Sequence, residues 1–229
     1  MERMGVSGKV VLITGGGRGI GAATAMIFAS AGAKVAVLAR TKSEVEDTVR
    51  EIEKSGGVAR GFVADVRKEK DIKGVVHKVL LEFGRIDILI NNAAIIHWKE
   101  FLDQNKKYWE EEIDINLGGV LVCSKIVAQL MIKQRDGVII NISSGAGKTG
   151  YPRMAVYSAT KFAVLGFTQG FSQEVKQYNV RVYAVCPGST RTQMTGFTGM
   201  LPEKVAKRIL EAAEERLGLE PGGDTEIYY

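Results

Sequence analysis

The residues best suited to chemistry in this chain are a tyrosine and a lysine one helical turn apart, with two serines upstream. Tyr157 and Lys161 lie in the run YSATK, and Ser143 and Ser144 end the apolar run before it. At the i, i+4 spacing a lysine ammonium lies on the same helix face as the phenol and favours the phenolate. Reduction of a carbonyl needs such an acid, and a hydroxyl that donates to the developing oxyanion. These residues therefore predict proton exchange with a carbonyl oxygen, with either serine as the hydroxyl.

A glycine-rich turn offers a place for a hydride donor. Residues 14–21 read TGGGRGIG, directly after an apolar run and before a helical stretch. Glycine permits a tight turn and a close approach of the backbone to a pyrophosphate, and the N-terminus of a helix attracts negative charge. The turn predicts a dinucleotide site at Gly15, Gly17, Arg18, Gly19, Ile20 and Gly21.

Short apolar runs and longer amphipathic stretches alternate along the chain. Strands are predicted at Lys9–Thr14, Lys34–Ala39, Val58–Val63, Ile86–Asn91, Gly137–Ile142 and Val180–Val185, with a last one at Thr225–Tyr228. Helices are predicted at Gly19–Ala31, Lys42–Ser55, Glu69–Phe83, Asn105–Gln134, Ala155–Tyr178 and Pro202–Leu217. This alternation indicates a parallel sheet with helices on both faces. We expect a single α/β domain over residues 1–229, a doubly wound parallel sheet of the Rossmann type.

Ligands of such sheets bind where the strands end at their carboxyl edge. Unusual residues follow each apolar run in this chain. They are the glycine turn, Arg40, Asp65, Asn91–Ala94, Ser143–Ser144 and Pro187–Gly188. This recurrence predicts that one edge of the sheet carries the whole site.

The motifs together resemble those of the short-chain dehydrogenases/reductases. The turn matches TGxxxGxG, Asn91–Ala94 matches NNAG with alanine for the last glycine, and Pro187–Thr192 matches PGxxxT. The resemblance covers nearly the whole chain. It implies reversible reduction of a ketone or aldehyde by a nicotinamide cofactor, with Tyr157 as general acid and base.

The resemblance also implies roles for the neighbours of Tyr157. It favours Ser144 over Ser143 as the oxygen-fixing hydroxyl and has Lys161 bind the nicotinamide ribose. Asn116 falls where the family holds a water of its proton relay, although from the residue alone it can equally be a polar core asparagine. The implied catalytic set is Asn116, Ser144, Tyr157 and Lys161.

The end of the second strand predicts the cofactor. Ala39 stands where users of NAD place a carboxylate, and Arg40 follows it. Because the arginine fork binds phosphate bidentately, we expect NADP(H) to be preferred over NAD(H), with Arg18 near the same phosphate. The resemblance adds an adenine contact at Asp65, where a turn or cap is the other interpretation. Asn91 and Ala93 would border the nicotinamide ribose, and Asn92 suits a turn equally well.

The remaining cofactor contacts and the substrate wall lie in loops. The other predicted cofactor residues are Thr41, Val66, Asn92, Tyr157, Lys161, Pro187, Gly188, Thr190 and Thr192. Substrate contacts are predicted at Ser144, Tyr151, Tyr157 and Met194, with a short substrate loop at 189–201.

Within the family the pattern is closest to 3-oxoacyl-carrier-protein reductases and related carbonyl reductases or sugar dehydrogenases. Arg135 stands where those carrier-protein reductases place one basic docking residue, but Tyr178 replaces the second. The alternative from another class is a non-catalytic NADP(H)-binding sensor or scaffold.

Composition limits the partners. The chain has 31 Lys and Arg against 26 Asp and Glu, a net charge of +5. Because basic and acidic residues are interleaved, we expect no nucleic-acid partner, and the apolar runs are too short to span a membrane. No cluster has the spacing of a metal site.

The cysteines, the N-terminus and the two long helices bear on where the protein is located and how it assembles. Cys123 and Cys186 lie in separate apolar segments, which favours buried free thiols. The N-terminus has only a short apolar run before the glycine turn, so we expect a cytoplasmic protein. A homodimer or homotetramer is implied through the two long helices, 105–134 and 155–178.

Overall fold

Seven strands form a single sheet in the computed structural model, which describes residues 5–227. They are β1 Val10–Thr14, β2 Lys34–Ala39, β3 Val58–Val63, β4 Ile88–Asn91, β5 Gly137–Ile142, β6 Val180–Pro187 and β7 Asp224–Ile227. Their order is β3-β2-β1-β4-β5-β6-β7, and every neighbouring pair is parallel. The predicted doubly wound sheet is confirmed. The predicted end of the last strand, Tyr228, lies outside the described residues.

Helices cover both faces of this sheet. They are α1 Gly19–Ser30, α2 Lys42–Lys54, α3 Glu69–Phe83, α4 Lys106–Ile113, α5 Gly119–Gln134, α6 Ala155–Val175 and α7 Pro202–Ala213. Along β1, Val11 and Ile13 join the core beneath α1, α2 and α7, whereas Val10 and Leu12 join the core beneath α3, α5 and α6. Both faces of β1 are therefore buried, which explains why this strand is continuously apolar, whereas the outer strand β3 is mostly exposed.

The strand order reverses between β1 and β4. From β1 the chain winds outward through β2 and β3, and from β4 it winds the other way through β5 to β7. The loops at the carboxyl ends of β1 and β4 therefore diverge and leave a crevice between them. Both the glycine turn after β1 and Asn92 after β4 lie at this point.

The predicted helix at Asn105–Gln134 is not regular throughout. A π-helical turn at Asp114–Gly118 separates α4 from α5. Such a turn inserts an extra residue and rotates the side chains that it carries, often at functional sites. The periodicity of the apolar residues did not reveal it.

Two other predicted helices end early. A 3-10 turn, Lys176–Tyr178, follows α6, and Asn179 then adopts a left-handed conformation with φ of 60°. The last helix stops at Ala213 instead of Leu217, and Glu215 has φ of 54°. Positive φ values end a helix because the next residue cannot continue its hydrogen-bond ladder.

The helical run 106–134 is long and apolar enough, by length and composition, to cross a membrane. Half of its most apolar window is buried inside the fold. There Cys123, Val127 and Met131 pack against the sheet. These contacts identify the run as a core helix of the domain.

Candidate active site

A cleft of about 1270 Å³ lies at the carboxyl edge of the sheet, across the point where the strand order reverses. Most of the predicted site residues line it. They are Gly15, Gly17, Arg18, Gly19, Ile20, Arg40, Thr41, Asp65, Val66, Asn92, Ala93, Ser144, Tyr151, Tyr157, Lys161, Pro187, Gly188, Thr190, Thr192 and Met194. Gly21 and Asn116 do not line the cleft, but they contact Gly15 and Ile95, which do.

The glycine turn is a cradle that side chains would fill. Gly15 and Gly19 have φ of 64° and 54°, a left-handed region that favours glycine. A Cβ on Gly21 would lie 2.1 Å from the carbonyl oxygen of Gly15. Because α1 begins at Gly19, its unpaired N–H groups face the cleft. The turn thus offers both the space and the donors that a pyrophosphate requires.

Asn92 fixes this turn. Its Nδ2 donates to the carbonyl oxygens of Thr14 and Gly15, at 3.0 and 3.1 Å. In return, the Thr14 hydroxyl accepts hydrogen bonds from the backbone N–H groups of Asn92 and Ala93. The turn role that the residue type suggested for Asn92 is therefore present. Thr14, which sequence reasoning left unassigned, joins β1 to the end of β4.

Asn91 does not border the cleft, contrary to the expectation. Its Nδ2 donates to Ser124 Oγ at 2.9 Å and to Asn141 Oδ1 at 2.8 Å. Both partners are buried, Ser124 on α5 and Asn141 on β5. Successive strand residues point to opposite faces of the sheet, so the last residue of β4 faces the core.

Two arginines, Arg18 and Arg40, flank the part of the cleft beside the glycine turn and the end of β2. Arg18 Nη1 lies 3.1 Å from Glu44 Oε1 and 2.5 Å from Gln193 Oε1. Arg40 Nη1 lies 3.9 Å from Glu111 Oε1. Both arginines are exposed, so these ion pairs are weak and a phosphate can displace them.

Asp65 has a partner in the chain itself. Arg67 donates to its carboxylate from Nε at 3.0 Å and from Nη2 at 2.5 Å. This side-chain hydrogen bond holds the pKa of Asp65 below its ordinary value. The carboxylate faces the cleft already neutralised by Arg67, which limits its repulsion of a phosphate nearby.

The two serines after β5 have different environments. Ser144 Oγ accepts from the N–H of Ala146 at 3.1 Å, donates to the carbonyl oxygen of Pro187 at 3.5 Å, and faces the cleft near enough to Tyr157 to lower the pKa of its phenol. Ser143 Oγ is buried and donates to the carbonyl oxygen of Lys161 at 2.9 Å. The structure therefore brings Ser144 to the phenol and uses Ser143 to hold α6.

Tyr157 and Lys161 are buried at the floor of the cleft, 7% and 2% exposed. Lys161 Nζ lies 5.6 Å from the centre of the phenol ring and donates to the carbonyl oxygen of Ile142 at 2.9 Å. Burial raises the pKa of Tyr157 to about 12, although the Ser144 hydroxyl lowers it, and burial lowers the pKa of Lys161 to about 8. Without a bound cofactor, burial therefore dominates the pKa of Tyr157, and the phenolate is not stabilised by Lys161 to the extent that was expected. Near neutral pH the phenol carries its proton and can donate it.

Asn116 holds the segment that follows β4. Its Oδ1 accepts from the N–H of Ile95 at 2.8 Å, and its Nδ2 donates to Ile95 O at 2.9 Å and to Thr160 Oγ1 at 3.2 Å. The π-helical turn carries Asn116 and allows its amide to reach both elements. The side chain therefore supports the cleft wall from behind.

Apolar side chains form the outer part of the cleft. Trp98 Nε1 donates to the carbonyl oxygen of Met194 at 3.0 Å, which ties the segment after β4 to the 189–201 loop. Tyr151 and Phe197 line the same region and are largely exposed. A carbonyl compound with an apolar flank fits this wall.

Sequence reasoning missed several residues that shape the site. Gln193 bonds Arg18 across the cleft, and Glu44 pairs with the same arginine. Their polar types at loop and helix positions gave no signal, because surface residues of these types are common. Glu112, one turn before Asn116, is buried, and its i, i+4 spacing from that asparagine was the signal that could have found it.

Comparison with known proteins agrees with this geometry. The family model for short chain dehydrogenases matches residues 9–199. A 3-oxoacyl-(acyl-carrier-protein) reductase of Thermotoga maritima is 38% identical over 216 residues, 94% of this chain and 85% of that protein.

Solved structures show the same backbone path. A 3-ketoacyl-ACP reductase from Sinorhizobium meliloti has a TM-score of 0.89 and 31% identity, covering 96% of this chain and 97% of its own. A short-chain type dehydrogenase/reductase from Mycobacterium marinum has a TM-score of 0.92 and 29% identity, covering 97% and 95%. The similarity therefore extends over the whole domain.

Proposed function

This chain belongs to the short-chain dehydrogenase/reductase family and is an oxidoreductase, and we propose that it reversibly reduces a ketone or aldehyde with NADPH. The proposal rests on one observation above the others. A buried phenol, a serine hydroxyl and a buried lysine lie together at the floor of the cleft that the glycine cradle opens into. A site that only bound a nucleotide would have no use for a buried acid there.

The residues of the chain divide the work of the reaction. The bound nicotinamide supplies or accepts the hydride. Tyr157 gives its proton to the carbonyl oxygen as that oxygen becomes negative, and Ser144 donates a hydrogen bond that fixes the oxygen. Lys161 brings a positive charge beneath the phenol and favours the phenolate that remains. In the reverse direction Tyr157 takes the proton from an alcohol.

The preference for NADP(H) is part of the proposal. Family members use a nicotinamide cofactor, and here the second strand ends in Ala39 without a carboxylate, followed by Arg40 at the cleft. The charge-assisted bonds of a guanidinium to a phosphate dianion are stronger than its contact with Glu111 at 3.9 Å. Equal kcat/KM values for NADPH and NADH would overturn this preference.

A 3-oxoacyl thioester is the first substrate class to test. The Thermotoga maritima and Sinorhizobium meliloti relatives carry that activity in their names. Arg135, the docking residue implied by the resemblance, lies 5.6 Å from the centre of the Tyr178 ring. The resemblance implied two basic residues for docking a carrier protein, and this chain has only Arg135, with Tyr178 at the second position. We therefore propose that small thioesters are accepted without a strong dependence on a carrier protein.

The deciding experiment is a substrate panel followed by nicotinamide absorbance with both cofactors. The panel contains acetoacetyl thioesters, small diketones, sugars and steroids. We expect NADPH-dependent reduction of at least one carbonyl compound. Binding of NADPH without turnover of any member would favour the sensor or scaffold instead.

Location and assembly are also proposals. The free thiols Cys123 and Cys186 are both buried, which suits a cytoplasmic protein. A homodimer is supported by exposed apolar side chains on the long helices, among them Leu121 and Phe162.

A further inference from the structure

Glu112 is a buried carboxylate close to the active site that the proposed reaction does not use. It is 1% exposed. Its Oε1 accepts from the backbone N–H of His97 at 2.5 Å, and its Oε2 has no hydrogen-bond partner within residues 5–227. Burying a carboxylate oxygen without a partner costs free energy. The bond to His97 explains one oxygen of this carboxylate and leaves the other unexplained.

The packing of α4 against α6 brings Glu112 towards Tyr157. Asn116, one turn after Glu112, donates to Thr160 Oγ1 at 3.2 Å, and Thr160 Oγ1 donates to the carbonyl oxygen of Tyr157 at 2.7 Å. These bonds dock the α4 end of the long helix beside the catalytic tyrosine. Glu112 is near enough for its charge to raise the pKa of the phenol.

Glu112 also supports the substrate wall. His97 lies between Ile96 and Trp98, which line the cleft, and its backbone N–H is held by the Glu112 carboxylate. The His97 ring is held separately, by Glu111 at 3.3 Å and by the Tyr108 ring at 4.7 Å between centroids. One carboxylate thus contacts the wall and acts electrostatically on the acid.

We propose that Glu112 is a positioning residue that keeps Tyr157 in its proton-donating form while it holds the substrate wall through His97. The inference rests on the proposed function, because it concerns the same phenol. An anion behind Tyr157 opposes the formation of a second anion on the phenolate oxygen. The residue therefore favours the state that reduces a carbonyl and delays the state that oxidises an alcohol.

Several neighbouring groups also shift the pKa values of Glu112 and Tyr157. Burial raises the pKa of the Tyr157 phenol most, Glu112 raises it further, and Ser144 after β5 lowers it. Lys161 Nζ on α6 lies 5.6 Å from the centre of the ring, where a positive charge favours the phenolate. Around Glu112, burial raises the pKa of its carboxyl, and His97 and Gln104 lower it. Burial lowers the pKa of Lys161, and Cys186 on β6 raises it in part. The Tyr157 phenol is neutral until it loses its proton, so the charge of Glu112 acts on the phenolate alone.

Glu112→Gln separates the charge from the contact. Glutamine keeps an oxygen that can accept from the N–H of His97 but removes the negative charge. We expect the pH midpoint of kcat/KM for alcohol oxidation to move down by about half to one pH unit, because removal of a nearby negative charge favours the phenolate. The KM for the carbonyl substrate should stay within about twofold, because the wall contact remains. Glu112→Ala should show the same shift and a higher KM.

Glu110→Gln is the matched control. Glu110 lies on the same helix at an exposed position and pairs with Lys106 at 3.5 Å. Its substitution removes the same charge outside the core and should leave the midpoint unchanged. A midpoint that is equal in Glu112→Gln and the unaltered protein would overturn the proposal, since a merely structural residue would change stability and KM alone.

A second readout needs neither turnover nor cofactor. The ultraviolet tyrosinate band is titrated in the unaltered protein and in Tyr157→Phe, and the difference isolates the ionisation of Tyr157. The same difference is taken in the Glu112→Gln background, where we expect a lower midpoint. If the substrate panel gives no turnover, the proposed function fails, while this titration still decides the role of Glu112.

Discussion

At the scale of single residues, the catalytic assignment depends on where each hydroxyl points. Ser143 and Ser144 are adjacent in sequence, yet one is bonded to the backbone of α6 and the other faces the phenol. The same alternation separates Asn91, which lies in the core, from Asn92, which fixes the glycine turn. The residue types predicted that a serine and an asparagine serve the site. Only the direction of each side chain shows which serine and which asparagine do so.

The two serines give a matched pair of variants. Ser144→Ala should lower kcat about 10²-fold, because a hydrogen bond to the developing oxyanion is lost, with NADPH binding unchanged. Ser143→Ala should instead lower the free energy of unfolding by about 1 kcal/mol through loss of its bond to Lys161 O. Steady-state kinetics and denaturant unfolding measure the two effects. The reverse pattern would assign the oxygen-fixing role to Ser143.

Cofactor preference is tested at Arg40. Arg40→Gln should lower kcat/KM for NADPH about 10- to 100-fold and change that for NADH little, because only NADPH has a 2′-phosphate to lose. Arg50→Gln is the control, since Arg50 is exposed on α2 and pairs with Asp47 at 3.0 Å. An equal fall in kcat/KM for NADPH and NADH would show that Arg40 contacts a group that both cofactors carry.

At the scale of elements, the glycine turn and the π-helical turn shape opposite sides of the cleft. The first brings the start of α1 to the cofactor, and the second aims Asn116 at the segment after β4. The sequence revealed the first because glycine has a direct backbone meaning. It did not reveal the second, because residues 105–134 have continuous helical periodicity and only three-dimensional contacts require the extra residue.

Gly21 tests the tight approach of α1 to the turn. Gly21→Ala should abolish nucleotide binding and destabilise the fold, because its Cβ would meet Gly15 O at 2.1 Å and Asn92 Nδ2 at 2.6 Å. Gly74→Ala on α3 meets nothing within 4 Å and should stabilise the protein by roughly 0.5–1 kcal/mol. Calorimetry with and without NADPH measures both. Tight binding by Gly21→Ala would contradict the cradle.

At the scale of the whole molecule, the sequence predicted the architecture well. The alternation of apolar runs and amphipathic stretches predicted the parallel sheet because the central strands β1, β4 and β5 are buried on both faces. The motifs lay at the carboxyl edge because that edge is where the loops can meet a ligand. The rest needed the fold. Whether a carboxylate such as Glu112 is buried depends on how α4 packs on α6, and whether Gln193 reaches Arg18 depends on the path of a loop.

Assembly is a prediction at this scale. Leu121 and Phe162 are 40% and 46% exposed on α5 and α6. We expect a dimer by light scattering, and we expect Leu121→Glu to dissociate it, because a charge in an apolar interface is costly. A monomeric unaltered chain would contradict this expectation.

The central claim is that Tyr157 is the acid and base of an NADPH-dependent carbonyl reductase. The most direct test is Tyr157→Phe, assayed by NADPH absorbance with the best carbonyl of the panel and by NADPH fluorescence for binding. We predict that kcat falls by about 10² to 10⁴ while the Kd for NADPH changes less than about threefold, since only the acid is removed. Turnover close to that of the unaltered protein, with cofactor binding intact, would contradict the claim.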